Sequence, residues 1–147
     1  LVFILHELGH KFTAQRYGLT AHYKANLQML LLGLMISLGG FLFFAPGAVM
    51  INGYGIDRRK NGIIATAGPL VNILVALAFL PFYIIYQWLF PLSLLFQFGF
   101  ATNAWIAAYN LIPFGRFDGL KIVRWSKFAY VLMLIASISL VVISFMI

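Results

Sequence analysis

Apolar residues run along this chain in five long stretches, at residues 1–15, 27–51, 63–90, 92–114 and 128–147. No internal repeat or low-complexity linker separates them. Polar and charged residues gather in the short connections. Stretches of this length are expected to be membrane-spanning helices, each needing about 20 residues. The second stretch differs from the others. About 18 residues of helix from Leu27 would rise roughly 27 Å, and Gly39-Gly40 and Ala45-Pro46-Gly47 then interrupt the pattern. Ala48-Val49-Met50-Ile51 reads as a strand, and about eight extended residues could return roughly 26 Å.

Composition sharpens this reading. Of 147 residues, 63% are hydrophobic and 9% charged, and the mean hydropathy is +0.99. A water-soluble domain would need far more charged surface. The expected fold class is an all-α membrane protein, a polytopic transmembrane helix bundle with a short re-entrant strand-like element. A single membrane-embedded domain is expected to occupy residues 1–147. The chain opens at Leu1, already inside an apolar run, so its N-terminus is expected to be truncated. The opening has no basic leader and no small-residue cleavage site, and does not read as a signal peptide. There are no cysteines, which removes disulfides and thiolate chemistry and leaves His, Asp and Glu as metal ligands.

The net charge is +7, and its placement argues for topology rather than for nucleic acid. The ten basic residues fall in three clusters: Lys11, Arg16 and Lys24; Arg58, Arg59 and Lys60; Arg116, Lys121, Arg124 and Lys127. Positive charge concentrates on the cytoplasmic side. If residues 27–51 enter the membrane and return, all three clusters share one face. If they form a plain span, the second cluster lies opposite. Non-helical backbone at membrane depth survives only against protein or a wet cavity, so the re-entrant path would mark a hydrated site. No nucleic-acid partner is expected. The bilayer itself is the expected surrounding, with the site toward its cytoplasmic side.

The candidate chemistry begins at His6-Glu7-Leu8-Gly9-His10. On a helix, His6 and His10 share one face and could share a metal. Glu7 lies one step round, placed to reach a metal-activated water without itself being a ligand. Zinc suits this arrangement because it lowers the pKa of bound water to about 7. An ionised side chain at a bilayer centre costs about 2.5–3.5 kcal/mol on insertion scales and is functional by default. The other acids are Asp57 and Asp118. Asp57 adjoins three basic residues and reads as a solvated loop charge. Asp118 closes the run Asn110-Leu111-Ile112-Pro113-Phe114-Gly115-Arg116-Phe117-Asp118-Gly119, in which Pro113 ends a helix. By spacing it is either a third metal ligand, a salt-bridge partner of Arg116 or a helix cap.

The HExxH pair, the Gly68-Pro69-Leu70-Val71-Asn72 segment read as a helix start, and the Asn-x-x-Pro…Asp-Gly run occur in one order. In that order they resemble the site-2 protease family of intramembrane metalloproteases, over roughly residues 1–119. The resemblance implies zinc held by His6, His10 and Asp118, with Glu7 as catalytic base. It also implies a three-helix core, an active site toward the cytosol and a re-entrant element near the site. Phe117 and Gly115-Arg116 depart from the family's usual turn, and Arg116 is expected to snorkel away from the metal.

The expected activity is zinc-dependent hydrolysis of peptide bonds in or near transmembrane segments of a membrane protein or peptide. An unwound substrate would pair with the strand edge at Ala48, Val49 and Met50. Asn110 either donates a hydrogen bond to substrate or caps the turn. Asn72 and Asn103 read as packing residues, His22 as a surface residue in a polar loop. Trp88 and Trp125 read as interfacial anchors. Three other functions compete with this reading: a membrane metal-ion transporter, a haem anchor and a catalytically inactive scaffold. Residues 63–90 and 128–147 carry no charge, against a through-path for ions. Two His on one turn cannot take opposite axial positions on haem.

Overall fold

A computed structural model describes residues 2–25, 47–52 and 56–147. The elements are α1 (Val2–Arg16), β1 (Thr20–Ala25), β2 (Gly47–Asn52), α2 (Arg58–Tyr86), α3 (Leu92–Asn110), α4 (Asp118–Trp125) and α5 (Lys127–Met146). Helix α2 is the centre of the bundle, with α1, α3, α4 and α5 all packed against it. Its buried residues include Gly62, Ala65, Pro69, Asn72, Ile73 and Ala76, spaced three and four apart along one helical face. Across from them, Phe100, Ala104 and Ala107 of α3 join Ile122, Met133 and Leu140 in one core. The alanines let the α2 and α3 backbones approach closely, as small residues do between apolar helices.

Helix α2 begins earlier than the apolar run suggests. Asp57 is not merely a solvated charge, because its Oδ1 accepts from Lys60 N at 2.7 Å and caps the helix. Start-up at Arg58 changes the meaning of Gly68-Pro69. They are not a helix start but lie inside α2. Proline there removes one backbone hydrogen bond, which packing against neighbouring helices tolerates. The opposite happens in α3, which stops at Asn110 short of the apolar run's end. Pro113 biases Ile112 out of helical geometry, and the chain turns through Gly115 at φ +59° before α4.

The strand expected at residues 48–51 is present as β2. Its partner is β1, a segment that reads as polar loop by sequence and pairs antiparallel with it, Thr20 opposite Asn52 and Ala25 opposite Gly47. His22 thus sits on a strand rather than in a loop, and it is exposed. The sheet follows from how α1 ends. Gly18 takes φ +72°, Leu19 N donates back to Ala14 O at 3.1 Å, and Leu19 and Ala21 bury against Ala14 and Ile64. The sheet packs against α1. The helix or re-entrant path expected from Leu27 to Phe44 lies outside the described residues.

Among the described residues, α2 and α5 are long and apolar enough to cross a membrane. Helix α3, expected as a further span, falls short of that measure, its apolar run diluted by Gln97, Thr102, Asn103 and Asn110. Large apolar side chains point outward on α2 and α5, such as Ile85 at 66% and Phe145 at 76% exposure. Trp88 is fully outward in the link after α2. Trp125 is not a free anchor, since its ring lies where a Cβ on Gly62 would be.

One close approach fixes the turn carrying Asp118. A Cβ on Gly119 would run into the carbonyl of Leu111 and, at 2.8 Å, that of Ile112. Backbone cannot yield there as a flexible side chain would. Gly119→Ala is therefore expected to cost about 1–3 kcal/mol, seen as a Tm several degrees lower in detergent. An unchanged Tm would contradict this packing.

Candidate metal centre

Helix α1 brings four buried side chains to one place: His6, Glu7, His10 and Ala14. Spacing of four puts His6 and His10 on the same face, toward α2, with ring centroids 4.7 Å apart. Gly9 lets α1 sit directly on α2, since a Cβ there would meet Ala67 O at 2.9 Å. The turn after α3 delivers Asp118 to the same point from the other side. It is the first residue of α4, not a cap, and its ion pair is with Lys121 rather than Arg116. Arg116 is exposed.

Three atoms converge. His10 Nε2 lies 2.9 Å from Asp118 Oδ2, His6 Nε2 lies 3.3 Å from that oxygen, and the two nitrogens are 3.1 Å apart. What these atoms can do depends on where each imidazole carries its proton. His10 Nδ1 faces Ile64 O at 2.8 Å, and a carbonyl can only accept. His6 Nδ1 faces Asn72 Oδ1 at 2.6 Å. The orientation of that amide is fixed by a relay: Asn72 Nδ2 donates to Asn103 Oδ1 at 3.0 Å, and Asn103 Nδ2 donates to Gly99 O at 2.7 Å. The relay ends on a backbone carbonyl, so its direction is set. Both imidazoles therefore donate from Nδ1, and in the neutral rings both Nε2 atoms carry lone pairs.

Two lone pairs and a carboxylate oxygen facing one another within 3.3 Å repel unless something positive lies between them. The spacing suits an ion. Donors about 2.0 Å from a tetrahedral centre sit about 3.3 Å from one another. Space is provided by Gly68, whose missing Cβ would otherwise strike Nε2 of both His10 and His6. Two imidazoles and a carboxylate would leave a fourth position open.

Glu7 is buried, and a carboxylate oxygen of it lies within 4.8 Å of one ring nitrogen of each histidine. That is close enough for one intervening water. Asp118 uses its two oxygens differently, Oδ2 toward the histidines and Oδ1 to Lys121 Nζ at 3.0 Å. Asn110 Nδ2 donates to Ile106 O at 2.9 Å within its own helix, which leaves its second N–H for another acceptor. Ala48, Val49 and Met50 lie on β2, which packs against α1.

By sequence alone Asn72 and Asn103 read as packing residues, Gly68 as part of a helix start and Lys121 as one of a basic cluster. Only the four-residue spacing of Gly68 and Asn72 on one helix face hinted at a shared role. Their pairing with α1 and α3 is a tertiary fact.

Comparison with known proteins agrees with the geometry. The model of peptidase family M50 matches residues 1–91. A protein of Methanocaldococcus jannaschii named "putative zinc metalloprotease" is 39% identical over 132 residues, covering 87% of this chain and 68% of its own length. A protein of the same description from Mycolicibacterium smegmatis is 38% identical over 89 residues, 52% of this chain and 34% of its own. The chain thus spans about two thirds of one relative and about a third of the other. No solved structure matches it. The chain belongs to peptidase family M50, the site-2 protease family, and is a metalloprotease of the membrane.

Proposed function

We propose that this chain is the catalytic core of a multi-pass intramembrane zinc metalloprotease, hydrolysing peptide bonds in or near transmembrane segments of membrane-protein substrates. The observation that carries the reading is the convergence of His6 Nε2, His10 Nε2 and Asp118 Oδ2, all electron-rich and all within 3.3 Å. These three are the ligands. Zinc is the ion that best fits two imidazoles and a carboxylate with one open position, and it supplies the Lewis-acid chemistry that makes water a nucleophile near neutral pH.

The chain's own residues do the rest. Asn72 and the Ile64 carbonyl hold the two imidazoles in one tautomer and one orientation. Hydrogen bonds between apolar helices contribute only about 0.6–2 kcal/mol, so this relay orients rather than stabilises. Glu7 takes the proton of the attacking water as oxygen adds to the scissile carbonyl carbon. It then returns that proton to the nitrogen as the carbon–nitrogen bond breaks, leaving an acid and an amine. Lys121 keeps Asp118 Oδ1 occupied, so only Oδ2 is presented.

Depth supports cleavage within the bilayer. Gly68 lies about 15 Å along α2 from its start, and the first residues of α2 are basic. The basic clusters favour the cytoplasmic side for that start. A helical substrate hides its amides and must open to be cut. Among the described residues β2 pairs only with β1, which leaves an edge at Ala48, Val49 and Met50 for an extended segment to join. Asn110 is the candidate donor to substrate, through the second N–H of an amide whose first N–H goes to Ile106 O.

Two variants test the assignment. Glu7→Gln is expected to keep zinc at the wild-type stoichiometry while cleavage of a reconstituted transmembrane peptide falls at least about a hundredfold; full activity in that variant would remove Glu7 from the reaction. Gly68→Ala fills the space between the imidazoles. It is expected to abolish zinc retention on gel filtration while helicity by circular dichroism is unchanged, and normal zinc content would contradict the site as described.

A further inference from the structure

A second feature lies at the same end of the bundle and shares only Lys121 with the metal centre. Arg58 and Asn61 at the start of α2, Lys121, Val123 and Arg124 of α4, and Lys127 at the start of α5 line an open cavity of about 600 Å³. Four of these six carry positive charge and none is acidic. Among the described residues, Lys121 alone of the four is paired with a carboxylate, through Asp118 Oδ1 at 3.0 Å. That bond uses one of the three N–H groups on its Nζ. The N-terminus of α5 also opens here and adds to the field. Such charge density attracts an anion.

The surroundings indicate which anion. The two helices apolar enough to cross a membrane, Arg58–Tyr86 and Lys127–Met146, both start at this cavity. It therefore sits at the level where a span meets the headgroup layer. Phe128, next to Lys127, is 80% exposed, and an acyl chain would lie along it and the outward face of α5. A soluble anion would gain nothing from that apolar flank.

We propose that this cavity binds the phosphate of an anionic phospholipid, held chiefly by Arg58, Arg124 and Lys127. Cationic pockets at helix ends on the cytoplasmic side are suited to such headgroups. The site rests on the membrane-spanning reading of α2 and α5, but not on the metal or on Glu7.

The test is native mass spectrometry of the full chain released from nanodiscs of phosphatidylcholine mixed with phosphatidylglycerol. Wild type is expected to retain phosphatidylglycerol in preference to phosphatidylcholine. The charge-keeping variant Arg124→Lys/Lys127→Arg should retain it too. Arg124→Gln/Lys127→Gln should bind it roughly thirtyfold more weakly, about fivefold for each basic residue lost near a membrane surface. Equal retention of both lipids, or equal phosphatidylglycerol retention by the Gln variant, would overturn the proposal. Displacement of the lipid by inorganic phosphate at comparable concentration would overturn it as well, in favour of a soluble-anion site. Carbonate extraction of the chain reconstituted in vesicles of the same lipids separates the two readings: loss of the chain from the membrane defeats the spanning helices, whereas a retained chain without lipid preference defeats only this site.

Discussion

Three electron-rich atoms are pressed together in the interior of an apolar bundle, and the rest of the structure depends on how that repulsion is managed. His6 Nε2, His10 Nε2 and Asp118 Oδ2 come from two elements more than a hundred residues apart in sequence. Each is held from behind: His6 by Asn72, His10 by Ile64 O, Asp118 by Lys121. These contacts settle the tautomers and leave the lone pairs facing inward. A cation between them turns mutual repulsion into shared attraction. The glycines at the contacts follow from this demand. Gly9 and Gly68 let α1 and α2 meet without filling the centre, and Gly119 lets the turn press against the end of α3.

Helix α2 links this chemistry to the membrane. One face of it carries Gly68 and Asn72 to the site, while other positions, such as Leu74 and Ile84, point outward as apolar side chains. The same helix therefore serves as a wall of the site and as a candidate span. Its cap at Asp57 and its early start place the basic residues beyond the apolar segment. Polar atoms inside such a bundle need partners, and the relay from His6 through Asn72 and Asn103 to Gly99 O provides them in sequence. Its role is orientation, because hydrogen bonds of this type add little to stability between apolar helices.

Much of this was legible in the residues. The four-residue spacing of His6 and His10 fixes their shared face whatever else the chain does, and Glu7 follows from it. The strand at Ala48 to Ile51 was marked by the glycine and proline before it. Pro113 fixed the end of α3. Asp118 was left among three roles by spacing, and the structure puts its Oδ2 against both imidazoles. What stayed hidden depends on packing between distant segments. The partner strand β1 looks like a polar loop because six residues between a helix and an apolar run carry no clear alternation. Gly68-Pro69 looks like a helix start because proline commonly occupies that place; only the cap at Asp57 reveals that the helix is already under way. Asn72 and Asn103 gain their roles from each other and from His6, a relation that one segment alone cannot display.

The most direct test of the central claim is X-ray absorption at the zinc edge on the purified, detergent-solubilised chain. Two imidazole nitrogens with oxygen neighbours, in a four-coordinate shell at about 2.0 Å, is the expected result. A shell without histidine, or no zinc retained by a folded chain, would contradict it.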